Sequence, residues 1–252
     1  TPLGTGTRKS WEALLSGKSG TGPIMRFDAT GVPARVAAEV RDLDPDRFVP
    51  EGSTRHMDRY SILGVAAARL ALDDAGIGTI DREAGERTAV VMGVGLGGLE
   101  TLESVHSMLG ERGPRFITPY FIPMMIPNMA AGWIGMITGA RGPGVTVSTA
   151  CASGAHAVGE GMRLIRDGRA DMVLAGGAEA AVTRLGIGGF CAMRALTTRK
   201  ASPGTESCPF DARRDGFVLG EGAGVMVLER LDSAASRGAR IHALLTGYGA
   251  TA

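Results

Sequence analysis

From Val145 to Gly159 the chain reads V-T-V-S-T-A-C-A-S-G-A-H-A-V-G, a β-branched run that gives way to small residues and then to a helical period. A chain that makes this change within a few residues is committed to a strand-to-helix turn, and so to an α/β architecture. The alternation of Val145, Val147 and Thr149 with Thr146 and Ser148 predicts a buried strand. Beyond it, Cys151, Ala155, Val158, Met162 and Ile165 fall on one apolar stripe, while His156, Glu160, Arg163 and Asp167 share another face. The Cys151 thiol is therefore expected to point inward from the first helical turn. The first N–H groups of a helix lack intrahelical partners and carry the positive end of the macrodipole, so they favour a thiolate and can receive a developing oxyanion. An inert cysteine behind a core strand fits the same local pattern, because unpaired Cys is among the most buried residue types. The stretch alone leaves both readings open.

Composition narrows the surroundings. Thirty-nine glycines in 252 residues is about twice the usual share of roughly 7%, which suits α/β packing with tight turns. Twenty-seven basic against 26 acidic residues leave a net charge of +1, so no nucleic-acid partner is implied. Cys151, Cys191 and Cys208 are odd in number and widely spaced, giving neither a disulfide framework nor metal-ligand spacing, and a reducing cytoplasmic setting without a metal is expected. The opening Thr1-Pro2 shows no charged n-region or apolar h-region, so no export signal is expected either.

Taken in order, the periodicity predicts a short amphipathic helix at Ser10 to Leu15, a strand at Ala34 to Val40, and a long helix from about Arg55 to Ala75 stopped by Gly76. A strand at Thr88 to Met92 runs into G-V-G-L-G-G and a helix at Leu99 to Leu109. Gly93, Gly95 and Gly98 formally match a dinucleotide fingerprint, but that site wants an acidic residue about 20 positions on, and Arg112 to Gly159 holds no Asp or Glu. These glycines read instead as close packing or as backbone bordering a pocket, and no cofactor is expected. In the acid-free stretch, Pro119, Pro123 and Pro127 break up Y-F-I-P-M-M-I-P-N-M, which excludes a regular membrane helix. Its methionines suit an oligomer interface, the wall of an apolar tunnel, or ordinary core. A buried helix follows at Asn128 to Thr138.

After the Cys151 helix, a strand from Asp171 ending in G-G-A-E at Glu179 completes a right-handed βαβ unit, with Cys151 at the carboxyl end of its first strand. A small-residue helix through Leu196, a polar loop at Thr197 to Pro209 and a strand at Val225 to Glu229 close the chain. Asp211, Arg213, Arg214, Asp215 and Glu221 read as structural ion pairs.

Four segments together, T-A-C-A-S-G around Cys151, G-G-A-E at Gly176, G-G-F-C-A-M-R-A-L at Gly188 and P-F-D-A-R-R-D-G-F-V-L-G-E-G-A-G at Pro209, resemble the N-terminal half of a β-ketoacyl synthase, of the elongating 3-oxoacyl-acyl carrier protein synthase II type. The resemblance implies an α/β, thiolase-like fold, layered αβαβα when complete, with residues 1–252 as its N-terminal half. It implies an acyltransferase of fatty acid biosynthesis in which Cys151 takes an acyl group from acyl carrier protein, after which the carbanion from decarboxylated malonyl carrier protein attacks that thioester. Covalent capture splits one hard step into two. By position, Leu96 matches a residue gating the acyl pocket, Phe190 one bordering the nucleophile, and Phe121 one contributed across a dimer interface. Family homodimers pair the strand before the nucleophile, here Val145 to Ser148, with its counterpart.

The resemblance also implies a second half with two catalytic histidines, a lysine and a G-F-G-G loop. His56, His106, His156 and His242 do not match those positions, so the isolated chain is expected to lack condensing activity. A type II polyketide ketosynthase shares these motifs and stands as the alternative, beside a catalytically incomplete structural fragment.

Overall fold

The structure, a computed structural model, describes residues 1–199 and 204–251. In chain order the elements are α1 (Thr7–Leu15), β1 (Gly22–Pro23), β2 (Val36–Ala37), α2 (Arg59–Asp74), α3 (Arg82–Glu86), β3 (Thr88–Gly93), α4 (Leu99–Arg112), α5 (Phe121–Met125), α6 (Met129–Thr138), β4 (Gly144–Val147), α7 (Ser153–Arg166), β5 (Met172–Glu179), α8 (Arg184–Ala192), β6 (Gly222–Glu229) and α9 (Leu231–Ser236). They fall into two compact units, residues 1–44, 98–125 and 180–222 in one, and 45–97, 126–179 and 223–252 in the other.

The second unit is built on a four-stranded sheet in the order β4-β3-β5-β6, in which β3 pairs in parallel with both β4 and β5. Every residue of β3 is buried, and Val91 of that strand joins Val173 and Ala175 of β5 and Ala157 and Leu164 of α7 in one apolar cluster. Helix α7 lies on β3, β4 and β5, while α2 packs against α6 and β5. Asp58 starts α2 by accepting the Tyr60 N–H at 3.3 Å, a capping bond that satisfies one orphan donor. The helix begins there rather than at Arg55, because Thr54–His56 forms a separate 3-10 turn.

The expected βαβ unit is altered in one respect. β4 and β5 run in the same direction on either side of α7, but β3 lies between them, so the crossover skips a strand. β4 therefore forms the edge of this sheet and is not buried; Val145 is 39% exposed. A V-T-V pattern is compatible with either position, and only the strand order decides.

The first unit holds a smaller core of Ile24, Ala34, Ala37, Ala181, Val182, Ile187, Leu196 and Leu219. The strand expected over Ala34 to Val40 shrinks to the two residues of β2, paired antiparallel with β1; past it, Glu39 turns inward to accept the N–H groups of Met25 and Arg26. Helix α8 is capped by the Thr183 hydroxyl and ends at Ala192, short of Leu196. No residue of α5 is buried and Ile122 is 53% exposed, so Phe121–Met125 is not ordinary core. The polar loop expected at Thr197 to Pro209 includes residues 200–203, which lie outside the described residues. Among the described residues no helix is long and apolar enough to cross a membrane.

Candidate active site

Cys151 stands on the turn between β4 and α7, one residue before the Ala152 N-cap. Ala150 makes the turn with φ 51°, a left-handed conformation that a residue with a Cβ adopts at a cost of order 1 kcal/mol. Ser153 holds the strain: its hydroxyl accepts the Thr149 N–H at 2.8 Å and donates to the Ala150 carbonyl at 2.6 Å. The Thr149 hydroxyl and His156 Nδ1 share a further hydrogen bond of 2.8 Å.

The turn sits directly on the sheet because three glycines remove the side chains between them. A Cβ on Gly93 would overlap the Ser153 carbonyl and the Gly154 nitrogen, and one on Gly177 would lie 3.1 Å from Gly154 Cα and 3.2 Å from the Gly93 oxygen. Gly93 is the first residue of the G-x-G-x-x-G match and is spent on this contact. Gly98 meets the Met124 and Met125 backbone in the same manner, which favours the close-packing reading over a dinucleotide site.

Two expectations fail here. The Cys151 thiol does not point inward; the residue is exposed. The stripe drawn through Cys151, Ala155, Val158, Met162 and Ile165 holds only in its later part: Met162 is buried and Val158 and Ile165 pack on the core, whereas Cys151 and Ala155 are exposed and the buried face begins at Ser153 and Ala157. The physical reason is Ala150. Its positive φ turns the chain before the helix starts, so Cys151 lies outside the helical screw and cannot be counted in 100° steps with Ala155. Of the N–H groups expected to be open, Ala152's donates to Thr149 and Ser153's to Ala150, at 3.2 and 3.1 Å.

Leu96 belongs to the same unit as Cys151, in the loop 94–97 that follows β3, and is 50% exposed. This loop borders the Cys151 turn: Val94 N–H donates to Val147 at 3.0 Å, and Ser148 Oγ donates to the Gly95 carbonyl at 3.4 Å. Its other side is held by Glu179, whose Oε2 accepts the Gly95 and Leu96 N–H groups at 3.0 and 2.7 Å. Phe121 and Phe190 belong to the other unit. Phe190 sits on α8, half-buried against the small core, with its ring edge-on to Phe217 at 5.5 Å. Phe121 opens α5, its N–H bonded to Thr118.

The acidic and basic groups at 211–221 are structural ties. Asp211 pairs with Arg213 at 2.8 Å, and that bond holds its carboxyl well below the usual carboxylate range. Asp215 accepts the Thr197 hydroxyl at 2.6 Å, and buried Glu221 accepts the Val40 N–H at 2.8 Å. Ser153, Glu179 and the Thr149–His156 pair went unassigned in the sequence. G-G-A-E marked Glu179 as part of a motif, but its partner loop lies 83 residues upstream of it and no local spacing links them.

The family model for the beta-ketoacyl synthase N-terminal domain matches residues 1–234, and the chain belongs to this family. It is 46% identical over 248 residues to the 3-oxoacyl-[acyl-carrier-protein] synthase 2 of Vibrio harveyi, covering 98% of this chain and 60% of that relative. A β-ketoacyl synthase from Burkholderia phymatum superposes with a TM-score of 0.86 at 32% identity, over 96% of this chain and 59% of the other. The ketosynthase complex of a type II polyketide synthase acyl-carrier protein, bound to the hexaketide, gives a TM-score of 0.80 at 29% identity, over 95% and 58%. The fold is thus the α/β fold of ketosynthases, thiolase-like. The chain spans about 60% of the length of the curated relatives it matches.

Proposed function

We propose that this chain supplies the nucleophile of a 3-oxoacyl-acyl carrier protein synthase, with Cys151 as the residue that becomes acylated. The observation that carries the reading is the strained strand-to-helix turn in a member of this family, which presents one cysteine just past the carboxyl end of β4, a strand paired in parallel with β3. The Cys151 thiolate attacks the carbonyl carbon of an acyl-carrier thioester. The tetrahedral intermediate collapses with the carrier sulfur as leaving group, which takes up a proton to become the free thiol, and the acyl group stays on Cys151. Decarboxylation of malonyl carrier protein and attack of its carbanion on that thioester complete the condensation in the whole protein. The exposed thiol is open to a carrier-bound thioester, and in this reading the groups that act on malonyl carrier protein belong to the part of the relatives' length that the chain does not span.

The partner is an acyl carrier protein, as the relatives' names state for them. Leu96 gates the acyl pocket, and Phe121 and Phe190 carry the substrate-contacting roles of the family positions they match. The whole enzyme is a cytoplasmic homodimer joined through β4, a reading supported by that strand's exposed edge.

The test is acyl transfer to the chain itself. Incubation with acyl carrier protein loaded with a saturated acyl chain, followed by intact mass and peptide mapping, gives one acyl adduct on the Cys151 peptide and none in Cys151→Ala. Label on Cys191 or Cys208 instead, or no label, overturns the assignment. Malonyl carrier protein added afterwards gives no 3-oxoacyl product from the chain alone. A second reading, a polyketide ketosynthase, is favoured by the likeness to the polyketide ketosynthase complex; loading by a polyketide carrier protein in preference to a fatty-acid one decides for it.

A further inference from the structure

We propose that Glu179 is a positioning residue that sets acyl-chain selectivity by fixing the loop that carries Leu96. The inference rests on the role proposed above for Leu96 and extends it to a residue two strands away from β4.

The register explains why Glu179 can reach this loop. β3 and β5 run in parallel with Gly93 opposite Gly177, so two residues further along Glu179 stands level with Gly95. Side chains alternate along a strand, which puts Glu179 on the same face of the sheet as Gly177. That is the face on which α7 begins, since Gly177 lies against Gly154. From there one carboxylate oxygen accepts two successive N–H groups, those of Gly95 and Leu96. Hydrogen bonds to an ionised acceptor are about twice as strong as neutral ones, and two on adjacent residues fix the peptide between them in one orientation.

Position 95 is glycine for a related reason: a Cβ there would come within 2.9 Å of Glu179 Oε2 and push the carboxylate off. On the opposite side the loop is tied to the strand leading into Cys151, through Val94 and Ser148. Every one of these ties is made by backbone or by a neighbour. The Leu96 side chain takes part in none of them and is left half exposed. Glu179 thus determines where Leu96 stands relative to the turn that bears the nucleophile, without touching an acyl chain itself.

The experiment compares wild type, Glu179→Gln, Gly95→Ala and Leu96→Ala on the full chain. Loading of Cys151 from hexanoyl and palmitoyl carrier protein is followed by intact mass, alongside hydrogen exchange at the Gly95 and Leu96 amides. Glu179→Gln keeps the size and removes the charge; Gly95→Ala displaces the carboxylate while leaving it charged. Both are expected to raise exchange at the two amides by about tenfold and to shift the long-to-short loading ratio by about tenfold, in the direction of Leu96→Ala. The melting temperature and near-ultraviolet circular dichroism of both variants stay near wild type, as a merely unfolded variant would not allow. Faster exchange with an unchanged ratio overturns the proposal, and so does unchanged exchange. If wild type itself is not loaded at Cys151, the reading of function fails first and this one with it; a loaded wild type with an unaltered ratio in both variants sinks this one alone.

Discussion

β3 and β4 are neighbours in one sheet and pair in parallel over four residues, yet one is buried from end to end and the other has no buried residue. Both read in the sequence as short β-branched or apolar runs. The difference lies in strand neighbours: helices α6 and α7 pack on both, but β3 has strands on both sides, whereas β4 has only β3 beside it. The interior strand fixes the Cys151 turn by close packing. The edge strand leads Cys151 to an exposed position. This asymmetry lets a cysteine be rigidly held and still be reached from solvent, as the proposed acylation requires.

The contrast is broken most severely at glycine. In Gly93→Ala the new methyl falls on the Ser153 carbonyl and the Gly154 nitrogen, backbone that cannot swing aside, so α7 must lift from the sheet. A loss of about 3 kcal/mol or more in urea unfolding is expected, with acyl loading of Cys151 falling alongside. Gly144→Ala on β4 meets nothing within 4 Å and should change stability by no more than about 0.5 kcal/mol. Equal costs at the two positions would remove the distinction between the strands.

Ser153→Ala tests whether the turn needs its side-chain brace. The substitution leaves the Thr149 N–H without its acceptor and the Ala150 carbonyl with only the Ser153 N–H, beside a backbone already in the left-handed region. A loss of about 2 kcal/mol is expected. Loading at Cys151 should slow more than this stability loss explains, measured well below the unfolding transition.

How much of this was legible in the sequence follows the same division. β3, α4, α6 and the body of α2 were readable because their apolar spacing and caps are local properties. The turn at Cys151 was readable as a turn for the same reason, and the four motifs carried the family. The direction of the thiol was not, because it depends on a single positive φ at Ala150, where alanine gives no warning. Nor was the edge position of β4, which is a property of strand order. Glu179 stayed invisible because parallel register, not spacing, brings it to Gly95. The apolar Pro-rich stretch around Phe121 left three readings open, and its exposure in α5 removes only ordinary core.

Tyr60 sharpens the comparison from beneath the buried side. Its hydroxyl donates to the Ile126 carbonyl at 2.5 Å within a fully buried residue, and burial, with the nearby charges of Asp58 and Glu179 adding to it, pushes the phenol up to about 12. The folded state holds this proton more tightly than the unfolded chain, so its contribution is complete below pH 10 and is lost as pH rises from 10 through 12. Tyr60→Phe should cost about 1.5 kcal/mol at pH 7, from the carbonyl left unpaired. It should also flatten the alkaline fall in stability, read from urea midpoints between pH 9 and 12. A fall of the same steepness in the variant would mean that Tyr60 does not titrate with unfolding.

Val145→Asp carries the smallest effect on the chain and the sharpest test of its open edge. The residue is 39% exposed on the edge strand, so a carboxylate there meets water and stability should change by no more than about 0.5 kcal/mol. A charge on a strand edge nonetheless opposes pairing with another strand, and a symmetric dimer joined through β4 would bring two such charges into one interface. Sedimentation should therefore show self-association weakened by about 100-fold or more, with the melting temperature unaltered. If self-association survives the substitution, the edge of β4 is not where two copies meet, and the exposed half of the comparison needs a different occupant.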